Sequence, residues 1–376
     1  MSRLPAVVVL ALLTLLWPPE LQAIDARLLP PGVLRLRLYQ SWITGDERYD
    51  ASGGKHSLGQ TGLDQLAGRG VPESVSNVYA IRNQARHTMQ RTDLVLDFGL
   101  DPEVDLGLWV PFLTSDLDQS AQLTQATGWS ALSTARRTAI AAGVGRLDLA
   151  DADRQGLGDI LVGVKARVLG DRQATHRLAL GGGVRLPTGH GADPLDTRDV
   201  ATGDKQWDLT FWTWYDYQPF ENFFINLHTH HEYALPGERA ALWPADTTRA
   251  ADLKFQPGFQ TDVQLEPQWR HPLDRAELQT SLFLIYNRVE PEKQQGFDSA
   301  QSTYAGARHP VGGTEWQRLM VKPTIGLNLL PMGLPMALYL GYGTTVWGKN
   351  TLDLDVMELR FELFLDPFES RSRTGS

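Results

Sequence analysis

The chain has 376 residues, a formal net charge of −9 and no cysteine. Its acidity argues against nucleic acid as a partner, because a phosphate backbone recruits Lys and Arg. The missing cysteine excludes a lipid-anchored lipoprotein and a disulfide framework, and the length allows one large domain or two ordinary ones. In chain order, Arg3 gives a basic start, Leu4 to Trp17 is almost wholly apolar, and Leu21-Gln22-Ala23 ends in a small residue suited to cleavage. That apolar run, interrupted by Pro5, is short for a membrane-spanning helix. The expected division is a signal peptide at 1–23, one domain over 24–368 and a tail at 369–376. No later segment approaches 18 unbroken apolar residues, which excludes a helical membrane protein.

The mature chain alternates. Val33 to Ile43 sets Leu34, Leu36 and Leu38 against Arg35, Arg37 and Tyr39, the period of a strand with one apolar face. Thr92 to Leu100 and Val104 to Thr114 repeat it around the turn Asp101-Pro102-Glu103. Asp159 to Leu169 is followed by Arg177 to Pro187, Trp207 to Tyr217 by Phe223 to Glu232, and Phe259 to Arg270 by Ala276 to Asn287. Trp316 to Leu329, Met336 to Val346 and Asp355 to Leu365 complete a set of 12. Each segment is close to the 9–11 residues that cross a bilayer as a tilted strand. Five connections are short turns. Thr44 to Arg91, Ser115 to Gly158, Thr188 to Gln206, Tyr233 to Gly258 and Arg288 to Glu315 are long, and Trp347 to Asp353 is brief. Short periplasmic turns opposite long outer loops are the mark of a transmembrane antiparallel β-barrel, so the fold class expected is all-β.

Two long loops carry helical spacing, Leu58 to Asn83 and the Ala-rich Thr127 to Leu147; either could fold inward and constrict the pore, cap it from outside or decorate the surface, the last being slightly favoured. Trp42, Trp109, Trp207, Trp212, Trp214, Tyr215, Tyr217, Trp269, Tyr286, Trp316, Tyr342 and Trp347 collect near strand ends and suit interface girdles.

The opposite strand faces are polar. A Lys or Arg facing lipid at mid-bilayer costs about 2–4 kcal/mol, so these charges belong in the lumen. The expected lumen-lining residues are Arg35, Arg37, Asp93, Asp97, Lys165, Arg167, Arg177, Arg185, Asp208, Asp216, His228, His230, Glu232, Asp262, Glu266, Arg318, Lys322, Glu358, Arg360 and Glu362. Their signs segregate by strand. A basic arc from Lys165 to Arg185 would face an acidic one from Asp208 to Glu266, giving a field across the pore. The other reading is an internal salt-bridge network that fills the barrel. His228, His230, His231 and Glu232 are the one metal-like cluster, but they lie on a single strand and no metal site is expected. No His-x-Ser stands near them, and no nucleophile elbow, P-loop or dinucleotide motif appears, so enzyme activity and cofactors are not expected.

The run Gly156 to Lys165 (GLGDILVGVK) with Leu178 to Gly189 (LALGGGVRLPTG) resembles the outer-membrane transporters of the phenol meta-pathway family, distant relatives of fatty-acid and aromatic-hydrocarbon channels. The similarity is carried by Gly156 to Glu232. Fatty-acid channels place a plug domain before the first strand, whereas only Ile24 to Gly32 is available here. The resemblance implies uptake of small aromatic or hydrophobic compounds across the bacterial outer membrane. The expectation is therefore a porin-like channel passing small solutes passively, with outer-membrane lipid around it. The rival readings are a closed structural barrel using its long loops for adhesion or assembly, and a barrel hydrolase.

Overall fold

Alternation fixes the facing of each strand, and lipid fixes how the strands must end. A bilayer offers backbone N–H and C=O groups no partners, so a sheet can cross it only by closing on itself. The computed structural model describes residues 25–68, 70–145, 149–171, 173–195, 201–243 and 249–365. The signal peptide expected at 1–23 and the tail at 369–376 lie outside the described residues.

The wall strands are β1 (Leu34–Tyr49), β2 (Tyr79–Asp101), β3 (Val104–Gln125), β4 (Leu149–Leu157 continuing as Ile160–Leu169), β5 (His176–Leu186) and β6 (Asp208–Phe220). They continue as β7 (Phe223–Ala234), β8 (Gln260–Pro272), β9 (Glu277–Val289), β10 (Trp316–Asn328), β11 (Met336–Lys349) and β12 (Leu352–Leu365). Each pairs antiparallel with its sequence neighbour, and β1 pairs with both β2 and β12, which closes the barrel of 12 strands. The short turns follow β2, β4, β6, β8 and β10, as the loop pattern predicts.

Four features depart from the sequence reading. First, β2 and β3 run far past their predicted outer ends, 23 and 22 residues long, so much of the expected loops 44–91 and 115–158 is strand. Beyond the bilayer the outward face meets water. Arg86 and Asp118 pair across strands there, and polar residues on that face hide the alternation from a lipid-based reading.

Second, the loop helices are α1 (Leu58–Gly68) and α2 (Thr134–Gly145), each capped by a serine. The hydroxyls of Ser57 and Ser133 accept the N–H groups of Gln60 and Arg136. The helices are not surface decoration. Leu63, Leu66, Ile140 and Val144 pack with Tyr79 and Ile81, and Leu58 reaches into the lumen.

Third, one side of the outer lumen is apolar. Met89, Leu113, Ile285, Met320, Leu354 and Val356 meet Leu58 there. Fourth, the aromatic set divides. Trp207, Trp269 and Tyr342 are exposed on the lipid-facing side, as girdle residues should be, but Trp109, Trp212, Trp214 and Trp316 are buried on the inner face. Parity along the strand decides this, not proximity to a strand end.

Above the barrel, Gly237–Leu242, Ala250–Gln256, Lys293–Asp298 and Thr303–Pro310 form a separate four-stranded sheet from two outer loops. Its anchor is an ion pair between half-buried Arg239 and buried Glu292 at 2.6 Å, with the guanidinium 4.2 Å from the Phe255 ring centre. Burial pushes the Glu292 carboxyl above its ordinary range despite that arginine.

The facing has a direct test. Leu38 and Phe211 project outward near mid-strand, 41% and 53% exposed. Leu38→Arg and Phe211→Arg should each lower barrel stability by about 2–4 kcal/mol in bilayer refolding. Refolding yields and midpoints equal to wild type would reverse the assignment of faces.

Candidate functional site

All twenty lumen residues expected from the sequence stand on inward-facing positions, but they do not form opposed arcs. Most charges meet a counterpart on the same strand or on one of the next two strands along the wall. Arg35 and Arg37 converge on Asp97 at 3.1 and 2.7 Å, and Arg91 holds Asp93 at 2.7 Å. Arg177 meets Asp216 at 3.1 Å, and Arg185 bridges Glu232 at 2.6 Å and Asp208 at 3.5 Å. Lys322 pairs with Glu358 at 3.1 Å and Arg360 with Glu362 at 3.4 Å. Asp262 accepts from Asn287 at 2.6 Å and faces His230 at 3.1 Å, while Asn226 donates to Glu266 at 2.9 Å. Arg318 donates to Asn287, and Arg167 reaches Glu103 at the periplasmic rim. Cross-strand neighbours lie about 5 Å apart, far closer than the opposite wall, so charges pair along the wall and the expected transverse field has no basis.

The N-terminal segment 25–33 explains several of these residues. It turns into the periplasmic half of the lumen instead of leaving it open. The N–H of Ala26 donates to Asp216 at 2.9 Å, and that of Leu29 to both Asp105 oxygens at 3.1 Å. Lys165 donates to the carbonyls of Asp25 and Arg27 at 2.6 and 3.0 Å. Ala26, Leu28 and Leu29 are buried. Sequence reasoning treated this segment as too short to act as a plug. The signal it missed was the backbone: nine residues with few side-chain cues can still satisfy inward-pointing Asp and Lys groups.

The same interior also explains the Gly-Gly-Gly run. Gly163, Gly181 and Gly183 face inward on β4 and β5, and the indoles of Trp212 and Trp214 lie against them. A Cβ at Gly183 would stand 2.6 Å from the Trp212 ring, and one at Gly181 would stand 2.7 Å from that of Trp214. His230 stacks on Trp212 and His228 on Trp214, with ring centres 5.8 and 5.4 Å apart. His231 faces outward toward Thr261, which splits the metal-like cluster of the sequence. Beside the indoles lies an open-sided cavity of about 520 Å³. Trp109, Trp212, Trp214, Val95 and Leu161 line it together with the charged Arg35, Arg37, Asp97, Asp105 and Lys165, and its floor at Gly107 and Gly163 is bare backbone. A second cavity, about 540 Å³, lies near the outer mouth against Asp204, Glu232, Glu290 and Glu292.

The family model described as "Putative MetA-pathway of phenol degradation" matches residues 56–361. No curated protein sequence matches the chain. Among solved structures, an outer membrane channel from Pseudomonas putida F1 is similar over 92% of this chain and 100% of its own, with a TM-score of 0.56 at 13% identity. The transport unit of the autotransporter AIDA-I from Escherichia coli is similar over 95% of this chain and 97% of its own, with a TM-score of 0.43 at 10% identity. A Pseudomonas aeruginosa FadL homologue is similar over 89% and 90%, with a TM-score of 0.35 at 8% identity. The first likeness shows a shared barrel fold.

Two outcomes follow from the interior. Gly183→Ala forces its methyl into Trp212 and the Val162 carbonyl and should cost about 1–3 kcal/mol, the usual penalty of overpacking. Gly182→Ala, whose Cβ meets nothing nearer than 3.7 Å, should cost far less in the same urea titration. Equal midpoints would mean the indoles are free to move. Separately, Lys165→Met leaves two buried carbonyls without their donor and should loosen the N-terminal segment. Faster cleavage within 25–33 by added protease would register it, and an unchanged rate would show the segment is held elsewhere.

Proposed function

Because the chain belongs to the family of the "MetA-pathway of phenol degradation" description, we propose that this outer-membrane barrel lets small apolar and aromatic solutes cross passively. One observation carries the reading: the tryptophan cavity. The charged part of the lumen is internally paired and its periplasmic half is occupied by residues 25–33, so it offers ions little. The cavity presents three indoles and two aliphatic side chains beside the ion-paired Arg35, Arg37 and Asp97 and the tethered Lys165, and its open side admits a small aromatic ring. Indole faces favour offset stacking with another ring.

Two wall elements favour entry at this point. The floor at Gly107 and Gly163 lacks side chains, and Leu106, Leu108 and Val164 on the lipid side flank it. A solute dissolved in the bilayer therefore meets its thinnest barrier there. No energy-coupling element is part of this reading.

A second reading has its own support: the packed, ion-paired lumen suits a closed barrel whose outer sheet contacts other surfaces. One experiment separates the two. Gly107 faces the cavity, and a Cβ there would meet nothing nearer than the Asp97 carboxylate at 3.7 Å, so Gly107→Phe places its ring in that space. Proteoliposomes or cells carrying the wild-type barrel should take up a small arene faster than empty controls, and Gly107→Phe should abolish most of that gain at unchanged stability. Wild-type uptake equal to the empty control, including after removal of residues 25–31, would leave the closed barrel.

A further inference from the structure

The cavity near the outer mouth carries charge of one sign. Asp204, Glu232, Glu290 and Glu292 line it, and among the described residues no lysine, arginine or histidine does. These carboxylates come from three outer segments: Asp204 precedes β6, Glu232 stands near the outer end of β7, and the other two lie in the link from β9 to β10. Glu292 is answered by Arg239 at 2.6 Å, and Glu290 faces Arg288 at 3.8 Å on the exposed surface. Glu232 is held by Arg185 at 2.6 Å, but Arg185 also serves Asp208 at 3.5 Å.

Behind Asp204 and Glu232 the imbalance deepens. The arginine that faces Asp159, Asp204, Asp208 and Glu232 is the same one, Arg185. The Asp204 carboxylate accepts the backbone N–H of Gln206 at 2.8 Å, and among the described residues no lysine or arginine forms an ion pair with it. Burial, with the charge of Asp159 beside it, pushes its carboxyl up to about 7. A second observation points the same way. Oδ1 of Asp208 and the Thr210 hydroxyl are buried with no protein partner among the described residues, and their side chains belong to residues 1% and 0% exposed. Thr210 stands directly across from Glu232 in the strand register, and the other oxygen of Asp208 meets Arg185, so both sit in the cluster. A buried acceptor with its bond unmade is costly, which marks these oxygens as waiting for a donor.

We propose that the outer mouth binds a small organic cation, a primary alkylammonium, with its charged head at Asp204 and Glu232 and its carbon stem against Val289 and Trp316. The site lies apart from the tryptophan cavity and does not depend on the passage of arenes. Three features select this chemistry. An ammonium has three donors and no acceptor, which answers a place rich in carboxylate and hydroxyl oxygens. Among the described residues no three acidic or histidine side chains stand close enough together to hold a metal ion, so the charge is spread for a larger cation. Pro257, Val289 and Trp316 line the same cavity, an apolar wall that a hydrocarbon stem buries and a hydrated inorganic ion does not use. Bound there, the cation ties the segment before β6 to β7 and to the link between β9 and β10.

The probe is n-butylammonium chloride, with 1-butanol as a neutral molecule of the same stem and magnesium chloride as charge without a stem. Titrated calorimetrically into the full-length barrel in detergent at about pH 8, against empty micelles, butylammonium should bind and 1-butanol should give no saturable heat. At about pH 6 the proton that Asp204 takes up near 7 competes, and binding should weaken. Asp204→Asn keeps an acceptor for the Gln206 N–H but removes the unanswered charge. It should weaken binding about tenfold, the worth of one charge-assisted hydrogen bond, and flatten the pH dependence. Asp274→Asn makes the same change of charge at an exposed periplasmic turn and should leave the affinity as it was. Glu290→Gln, on the exposed rim of the cavity, should weaken binding about twofold to fourfold, and it keeps the test sound if Asp204→Asn loses heat-modifiability on gels. No saturable binding of butylammonium overturns the proposal and means that protons alone settle the cluster. Equal losses in Asp204→Asn and Asp274→Asn, or tighter binding of magnesium than of butylammonium, overturn it as well.

Discussion

Closure of the strand ladder governs everything else in this molecule. With no water to accept them, backbone groups inside a bilayer must all be paired, and pairing β1 with β12 leaves no free edge. Once the sheet is a closed cylinder, every second side chain has to point inward. A 12-stranded barrel is too wide to be filled as tightly as an eight-stranded one and too narrow to be a general pore, so its interior must be furnished deliberately. The furnishing here is threefold: paired charges with a backbone segment near the periplasm, indoles on glycine at mid-height, and an aliphatic cluster with Leu58 near the outer mouth.

The ion pairs belong to that furnishing rather than to conduction. A buried charge deprived of its partner costs about 3–5 kcal/mol, while a complete pair is roughly neutral for stability. Their arrangement along neighbouring strands therefore reads as specification of register. Arg185 bonded to Glu232 and Lys322 bonded to Glu358 hold only when the strands between them are aligned as observed.

Much of the fold was legible in the sequence because the lipid-facing alternation is a two-residue signal repeated twelve times. Leu34, Leu36 and Leu38 read correctly, and so did the inward placement of Arg35 and Arg37. The signal ends where lipid ends. Ile81, Asn83 and His87 continue β2 inward beyond the bilayer, but with Arg82, Gln84 and Arg86 between them the pattern resembles a polar loop. The site was harder to read. Facing is a property of one strand, whereas partnership is a property of two, and sequence order does not tell which inward Asp meets which inward Arg. The cavity was hidden for a third reason: Gly163, Gly181 and Gly183 contribute by what they lack, and their meaning appears only beside Trp212 and Trp214.

The outer sheet has a consequence for how the surface moves. Its four strands come from the loop between β7 and β8 and the loop between β9 and β10, and Gln256 and Phe255 pair with Lys293 and Gln294 across the divide. Two flexible loops would each pay their own closure entropy and fluctuate separately. Bonded as one sheet, with Arg239 bridged to the buried Glu292, they share a single set of hinges at the barrel rim. The pair then behaves as one stiff unit. A force, an antibody or an inserted sequence acting on either loop is felt by both.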